Sequence, residues 1–169
     1  MYIFIDNYWE LNCIEECVIR MKNVDVLWFD HDCTYEDNIK NKHKKTRMEI
    51  FNFKEECIIT PKEYANRALS VGSRDISFGW NGMIDFKHLI TYNLHFIKQT
   101  IHEDVFFGIS LFLSCKFISY LPCKLYNYRI RDNSLCDYSN QNKNTWISPY
   151  MKNIYNKFNN IEQTKFYFR

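Results

Sequence analysis

Hydrophobic positions in the first third of the chain follow two different spacings. The apolar run at residues 2–5 and the mostly apolar run at residues 24–29, which contains Asp25, predict β-strands. Each run is followed by an acidic residue. The segment between them predicts an amphipathic helix, because its apolar residues recur at intervals of three or four. These residues are Leu11, Ile14, Cys17 or Val18, and Met21.

The middle of the chain carries clear helix-start signals. Thr60 is expected to cap a helix in which Pro61 takes the first position and Glu63 completes a capping box, and this helix should end near Ser70. Asp85 opens a shorter predicted helix that runs through residue 92. A third, strongly apolar helix is predicted from residue 104 to about residue 116.

The remaining apolar runs predict further strands and a helical tail. Residues 117–121 and 125–130 are expected to be strands, residues 48–53 a possible strand, and the tail from residue 142 a helix. Strands that alternate with helices indicate an α/β fold, which we assign to one domain over residues 1–169. A sheet that opens at residue 2 with a strand ending in Asp6 lacks the usual opening strands, so we expect an incomplete sheet.

The apolar segment 105–123 is long enough to be considered as a membrane span. Lys116 lies inside it, Pro122 lies near its end, and two acids directly precede it. We therefore interpret the segment as a buried helix followed by a buried strand.

Composition indicates a packed protein with reduced thiols. Of 169 residues, 46% are hydrophobic, which excludes a disordered chain. Seven cysteines without a Cys-x-x-Cys pair disfavour disulfides and zinc, so we expect core cysteines in a cytoplasmic protein. The five bases at residues 38–47 predict a solvated loop, with contact to an anionic membrane as the alternative. No motif for nucleic-acid binding accompanies this charge.

Three groups of polar residues are candidates for chemistry. Carboxylates follow the first two strands, at Asp6 and at Asp30-x-Asp32, where they could hold Mg²⁺ or Mn²⁺ or could serve only as caps and turn residues. The pair Glu103-Asp104 precedes the apolar helix. It could supply a general base, or could simply be stabilised by the helix dipole.

The third group is a pair of arginines. Strand alternation places Arg129 and Arg131 on one face, where two guanidinium groups suit phosphate oxygens. The alternative is a pair of exposed arginines on an edge strand.

Residues 78–134 resemble the acceptor-side half of bacterial family 2 glycosyltransferases of the GT-A fold. The resemblance lies in the order and spacing of four motifs: Trp80-Asn81-Gly82, Asn93-Leu94-His95-Phe96, His102-Glu103-Asp104-Val105-Phe106-Phe107, and Leu125-Tyr126-Asn127-Tyr128-Arg129 with Asn133-Ser134. It implies Asp104 as general base, with Glu103 orienting either the acceptor or Asp104 itself. It also implies substrate contacts from Trp80, as a sugar-stacking platform, and from His102, Arg129 and Arg131.

The amino-terminal residues resemble only part of the same family's pattern. The run Tyr2–Trp9 is similar to the strand that carries the family's Asp-x-Asp metal motif, but only Asp6 remains, so Asp6 is the implied ligand of a divalent metal. By position Asp30-x-Asp32 is not its replacement. The family's Pro-x-Tyr-Asn and Asp-Asp-Gly-Ser stretches, which bind the nucleotide, do not occur. The resemblance therefore implies a partial GT-A fold that lacks the nucleotide-binding strands, from a truncated or split gene.

Two functions follow from the resemblance. The intact family transfers a sugar from a nucleotide-diphosphate sugar to a glycan or lipid-linked acceptor, for surface polysaccharide or lipooligosaccharide. Such an enzyme is cytoplasmic and can be peripheral at the inner membrane. The alternative is a non-catalytic remnant, or a half-protein that acts only with a companion amino-terminal polypeptide.

Overall fold

A computed structural model describes residues 7–35, 53–70, 80–96 and 103–130. The elements are, in chain order, β1 (Tyr8–Trp9), α1 (Cys13–Val18), β2 (Val26–Tyr35), β3 (Cys57–Ile59), α2 (Pro61–Ser70), β4 (Gly82–Ile84), α3 (Phe86–Tyr92), α4 (Glu103–Ser114) and β5 (Ile118–Ile130). The predicted strand at 2–5, most of the possible strand at 48–53 and the predicted helical tail lie outside the described residues.

The strands form one five-stranded sheet built around β5. β5 runs parallel to β2 and antiparallel to β1 and β3, while β4 pairs antiparallel with the other side of β2. The helices are interspersed between strands in sequence, so the predicted α/β class is confirmed.

The sheet buries a hydrophobic cluster on each of its faces, because neighbouring side chains of a strand point in opposite directions. On the face that we call the α4 face, Val26 and Trp28 pack with Ile118, Tyr120 and the apolar side of α4. The opposite face, which we call the α1 face, carries the second cluster. Its members are Cys13, Cys17, Leu27, Phe29, Leu121, Leu125 and Tyr126.

β2 and β5 are both longer than the sequence predicts. The predicted strands at 117–121 and 125–130 are one strand, and β2 continues past its predicted end at Phe29. The pairing shifts register beside Pro122, from Phe29 opposite Leu121 to Asp30 opposite Lys124. A proline has no N–H to donate to the ladder, so an irregularity at this point keeps the two strands paired beyond it.

The predicted starts of α2 and α3 are confirmed. Thr60 Oγ1 accepts a hydrogen bond from the Glu63 amide over 3.3 Å, although the Glu63 side chain pairs with Arg67 instead of completing the capping box. Asp85 caps α3 by accepting from the Lys87 amide over 3.0 Å. The left-handed conformation of Asn93 ends that helix, with φ at 49°.

α1 is shorter than predicted and turns only part of its predicted apolar side to the sheet, namely Cys17 and, beyond its last residue, Met21. It buries Cys13 and Cys17, confirming them as core cysteines, whereas Leu11, Ile14 and Val18 face solvent. Burial raises the pKa of Cys17 to about 12, so this thiol is held in its neutral form. All six cysteines in the described segments are free thiols.

A hydrogen-bonded joint connects the end of α4 to the start of β5. The Asp25 carboxylate accepts from the amides of Lys116 and Phe117, over 2.6 and 3.0 Å. The segment 105–123 is therefore a helix followed by a strand, as predicted. Within the described ranges, no helix has both the length and the apolar character to cross a membrane.

Candidate functional site

The middle of β2 and the first half of β5 bring polar side chains together on the α4 face. Asp30 accepts a hydrogen bond from the hydroxyl of Tyr120 over 2.5 Å, and Asp32 pairs with Lys124 at 2.5 Å. Burial and the Asp30 carboxylate raise the pKa of Tyr120 far above its usual range, so the phenol stays a hydrogen-bond donor. In the segments that the structure describes, no group of three or more His, Cys, Asp or Glu side chains could hold a metal ion.

The opposite, α1 face carries an aromatic cluster around Trp80. The indole stacks on Tyr128, with ring centroids 5.4 Å apart and planes inclined by 22°, and it also packs on Tyr126 at 5.1 Å. The ring of His31 meets it edge-on at 4.8 Å. Three rings thus fix the orientation of Trp80, which remains partly exposed.

Burial controls the protonation of this aromatic cluster. His31 is only 5% exposed, and burial lowers its pKa, a shift that the Asp32 charge opposes and the Lys124 charge reinforces. Burial also raises the pKa of Tyr126, while a hydrogen bond with Asn7 acts in the other direction. At neutral pH the cluster is therefore an uncharged surface with polar edges.

The chain segment around Trp80 is held close to β2. Asn81 is buried and makes two hydrogen bonds to the backbone of Phe29. Its side-chain amide donates to the Phe29 carbonyl, and its backbone carbonyl accepts from the Phe29 amide, each at 3.1 Å. A Cβ on Gly82 would lie 2.5 Å from the carbonyl oxygen of Leu27. Only glycine permits this approach, so the position of Trp80 follows from the two residues after it, Asn81 and Gly82.

Hydrogen bonds across β1 order the end of β5. Asn7 Oδ1 accepts from the Arg129 amide over 2.9 Å, and the side-chain amide of Asn127 donates to Glu10 over 2.6 Å. The Arg129 side chain is exposed, and alternation turns it away from Tyr128, toward the α4 face.

The first turn of α4 points toward the same end of the sheet. The last turn of the helix lies beside Asp25, just before β2, while Phe112 stacks over Trp28 with ring centroids 6.4 Å apart. The helix therefore runs backward along β2, and Asp104 lies about 12 Å beyond Phe112, toward the carboxyl end of the strand. Asp104 is partly buried and lies inside the first turn, since the helix begins at Glu103.

The predicted site residues that the structure describes lie on different faces of the sheet. Trp80 lies on the α1 face, whereas Arg129 and the helix that carries Asp104 belong to the α4 face. His102, Arg131 and Asp6 lie outside the described residues. The sequence predictions did not include His31 or the supporting role of Tyr126 and Tyr128. Alternation indicates which face of the sheet each of these residues shares, but not its contact with Trp80.

An Asp–His–Ser arrangement elsewhere, in which the His and the Ser are buried, has the order of a hydrolytic triad. His88 Nε2 lies 2.8 Å from Ser114 Oγ, and His88 Nδ1 lies 3.2 Å from Asp25 Oδ1. However, Ser114 is buried, and its hydroxyl donates to the carbonyl of Leu111 over 2.8 Å. The arrangement therefore ties α3 to α4 and offers no accessible nucleophile.

Comparison with known proteins identifies the fold. No family model and no curated protein sequence matches the chain. Among solved structures, it is similar to S. aureus TarS 1–349 in complex with UDP-GlcNAc, with a TM-score of 0.63 and 17% identity over 93% of this chain and 41% of that one. A second structure of S. aureus TarS 1–349 gives a TM-score of 0.62 and 15% identity, over 96% of this chain and 43% of that one.

A longer S. aureus TarS structure also matches, with a TM-score of 0.61 and 16% identity over 93% of this chain and 24% of that one. The chain spans about two fifths of TarS 1–349. It therefore has an α/β fold like that of part of TarS, and it corresponds to part of the larger solved chain.

Proposed function

We propose that this chain forms the acceptor-side part of a family 2 glycosyltransferase. The reaction would move a sugar from a nucleotide-diphosphate sugar to a glycan or lipid-linked acceptor of a surface polysaccharide or lipooligosaccharide. The observation that carries the proposal is the likeness of nearly the whole chain to a protein solved with UDP-GlcNAc. The cytoplasm, with peripheral contact to the inner membrane, is the location that such an acceptor would favour.

Asp104 is the proposed general base. Inverting transfer requires removal of the proton from the acceptor hydroxyl while its oxygen bonds to the anomeric carbon and the bond from that carbon to the diphosphate breaks. The first turn of a helix stabilises a carboxylate, and the course of α4 along β2 directs this turn to the strand ends, where ligands of α/β sheets bind. Glu103, the preceding residue, would orient the acceptor or the base.

Trp80 is the proposed stacking surface for a sugar ring. Its contacts with Tyr126, Tyr128 and His31 support this role, because a platform that is already ordered loses little entropy when a ligand binds. Since Trp80 and Asp104 belong to opposite faces, a bound acceptor would have to cross the edge of the sheet. Arg129 would contact phosphate or acceptor oxygens there, and His102 and Arg131 would complete the substrate contacts.

A divalent ion, Mg²⁺ or Mn²⁺, would neutralise the charge of the departing diphosphate. The described residues do not fit such an ion by themselves, because Asp30 and Asp32 already pair with Tyr120 and Lys124. Asp6 remains the proposed ligand and lies outside the described residues. We therefore assign no step of the reaction to a metal bound by the described part of the chain.

The second candidate is a half-protein that acts only with a companion polypeptide, or a remnant without activity. Its support is that the chain spans about two fifths of TarS 1–349. In that case the nucleotide-binding part would come from another chain.

Release of nucleoside diphosphate from UDP-, GDP- and CDP-sugars separates these functions. The chain would be assayed with Mn²⁺, alone and together with the polypeptide encoded immediately upstream, in the presence of a lipid-linked glycan acceptor. Turnover by the chain alone would support the enzyme without a companion. Turnover only by the mixture would support the half-protein, and no turnover by either sample would favour the remnant.

A further inference from the structure

Phe96 is an exposed aromatic residue to which the proposed reaction assigns no role. It ends the motif Asn93-Leu94-His95-Phe96 and is 50% exposed. Its ring stacks on Phe107, with the centroids 4.3 Å apart and the planes inclined by 18°. The stack covers one face of the Phe96 ring, yet half of the residue stays exposed. The other face of the ring is therefore open to a ligand.

The structure holds this ring in place from two sides. Phe107 is 5% exposed and belongs to the hydrophobic cluster of the α4 face. Leu94, two residues before Phe96, belongs to the same cluster, and its amide donates to the Leu89 carbonyl over 2.9 Å. Phe96 thus lies between a buried anchor in its own segment and a buried ring on α4. A surface that is already ordered loses little entropy when a ligand binds to it.

Phe107 also places the Phe96 ring beside the proposed base. Asp104 and Phe107 are three residues apart on α4, so they are neighbours on the helix surface, with Cβ atoms about 5–6 Å apart. Side chains of a helix lean toward its amino terminus, so the Phe107 ring covers the turn that contains Asp104. The Phe96 ring, which stacks on Phe107, therefore lies next to the first turn of α4. Unlike Trp80, Phe96 shares the α4 face with Asp104.

An aromatic face beside a carboxylate suits a sugar ring. The face of an aromatic ring is electron-rich and attracts the C–H groups on the apolar side of a sugar. The hydroxyl groups at the rim of the sugar require hydrogen-bond acceptors, which an ionised carboxylate supplies. A sugar that rests on Phe96 would bring a rim hydroxyl toward Asp104. Holding the two groups together removes much of the entropy cost of their encounter.

We propose that Phe96 binds the sugar ring of the acceptor that carries the attacking hydroxyl, and so presents that hydroxyl to Asp104. The proton then passes from this hydroxyl to the Asp104 carboxylate, as in the reaction proposed above. Trp80, on the α1 face, would hold a more distant sugar of the same acceptor. This inference rests on the proposed function, because it takes Asp104 to be the general base.

Binding of simple glycosides to the full chain tests the role of Phe96. The methyl glycosides of glucose, galactose and N-acetylglucosamine would be titrated into the isotope-labelled chain and followed by NMR. We expect at least one of them to bind and to shift the amide signals of residues 96 and 104–107. Phe117→Ala is the matched control, because Phe117 is a phenylalanine of nearly equal exposure, 49%, beyond the other end of α4, and this variant should bind normally.

Two substitutions of Phe96 separate binding from folding. Phe96→Leu keeps an apolar contact with Phe107 but removes the aromatic face, so its urea midpoint should stay near that of the wild type while glycoside binding weakens about tenfold. Phe96→Trp keeps an aromatic face and should bind at least as well as the wild type. In the reconstituted enzyme, Phe96→Leu should raise the KM for the acceptor and leave the KM for the sugar nucleotide unchanged.

Several results would overturn the proposal. These are failure of all three glycosides to bind at millimolar concentrations, equal weakening in Phe96→Leu and Phe117→Ala, or normal binding by Phe96→Leu. Binding of 1-hexanol without binding of any glycoside would also overturn it, and would assign the ring to the alkyl part of a lipid-linked acceptor. The NMR titration contains no sugar nucleotide. Glycoside binding that Phe96→Leu weakens would therefore support the sugar surface even if no sample releases nucleoside diphosphate.

Discussion

Substitution of Asp25 by alanine should destabilise the protein strongly although the residue is small and lies before a strand. Its carboxylate accepts two backbone hydrogen bonds, from Lys116 and Phe117, and lies 3.2 Å from the buried ring of His88. Asp25→Ala would leave two amides at the α4–β5 joint without their acceptor. It would also remove the only carboxylate that the described residues bring to the His88 ring in an ion-pair contact.

The magnitude follows from the number and exposure of these contacts. A hydrogen bond to a charged group contributes about 1.5–3 kcal/mol, but the Asp25 side chain is 24% exposed, so water can partly replace it. We expect a total loss of about 3 kcal/mol in the free energy of unfolding. For a chain of this size, that loss corresponds to a decrease in Tm of roughly 6–12 °C.

Urea denaturation followed by circular dichroism is the assay for Asp25→Ala. Asp25→Asn keeps one acceptor oxygen and should lose about half as much. Asp32→Ala is the matched control, because it removes an aspartate that is 54% exposed from a surface ion pair, and it should cost at most about 1 kcal/mol. Equal small losses for Asp25→Ala and Asp32→Ala would refute the assignment of the joint as a source of stability.

Four further outcomes are expected. Burial lowers the folded-state pKa of His31 and His88 below the ordinary 6.5. The free energy of unfolding is therefore highest above pH 6.5 and decreases as the pH falls toward the folded-state pKa values. Urea midpoints measured at about pH 7.5 and pH 5.5 should show this decrease, and the decrease should be smaller in His88→Gln. Gly82→Ala should cost about 2 kcal/mol or more, because its Cβ would lie 2.5 Å from the Leu27 carbonyl oxygen, and a wild-type midpoint would contradict that contact. Asp104→Asn should keep the wild-type midpoint but lower sugar transfer by the reconstituted enzyme roughly a hundredfold or more, and unchanged transfer would exclude Asp104 as the base. Calorimetry of the isolated chain with UDP-GlcNAc should show no measurable binding. Micromolar affinity would refute the proposal that this chain lacks the nucleotide-binding part.

The parts of the fold that local signals determine could be predicted from the sequence. α2 and α3 begin where Thr60 and Asp85 predicted, because a capping side chain acts on amides two or three residues away. The short strands β3 and β4 were missed, since three residues show no periodicity and are strands only through their partners in the sheet. The predicted end of β2 at Phe29 was wrong for the same reason, because pairing with β5 carries the strand through polar residues to Tyr35.

In the candidate site, too, local signals could be predicted from the sequence and contacts between distant segments could not. Sequence motifs identified Trp80 and Asp104, but their separation onto opposite faces depends on which side of the sheet each segment packs. His31 was not predicted as a site residue because no local pattern distinguishes it from its neighbours Asp30 and Asp32. Its contact with Trp80 joins residues of different elements and leaves no local pattern in the sequence.

The parallel pairing of β2 with β5 has a consequence for how this protein folds. Asp30 and Tyr120, which share a hydrogen bond across that pair, are 90 residues apart in the sequence. Closing a loop of this length costs about 4 kcal/mol of chain entropy before any contact compensates for it. Long-range parallel pairing is correspondingly slow, so the apolar side chains of β2 stay exposed to solvent until β5 pairs with it. During synthesis, the nascent chain cannot complete either hydrophobic cluster until β5 has left the ribosome, and this interval is when aggregation competes most strongly with folding.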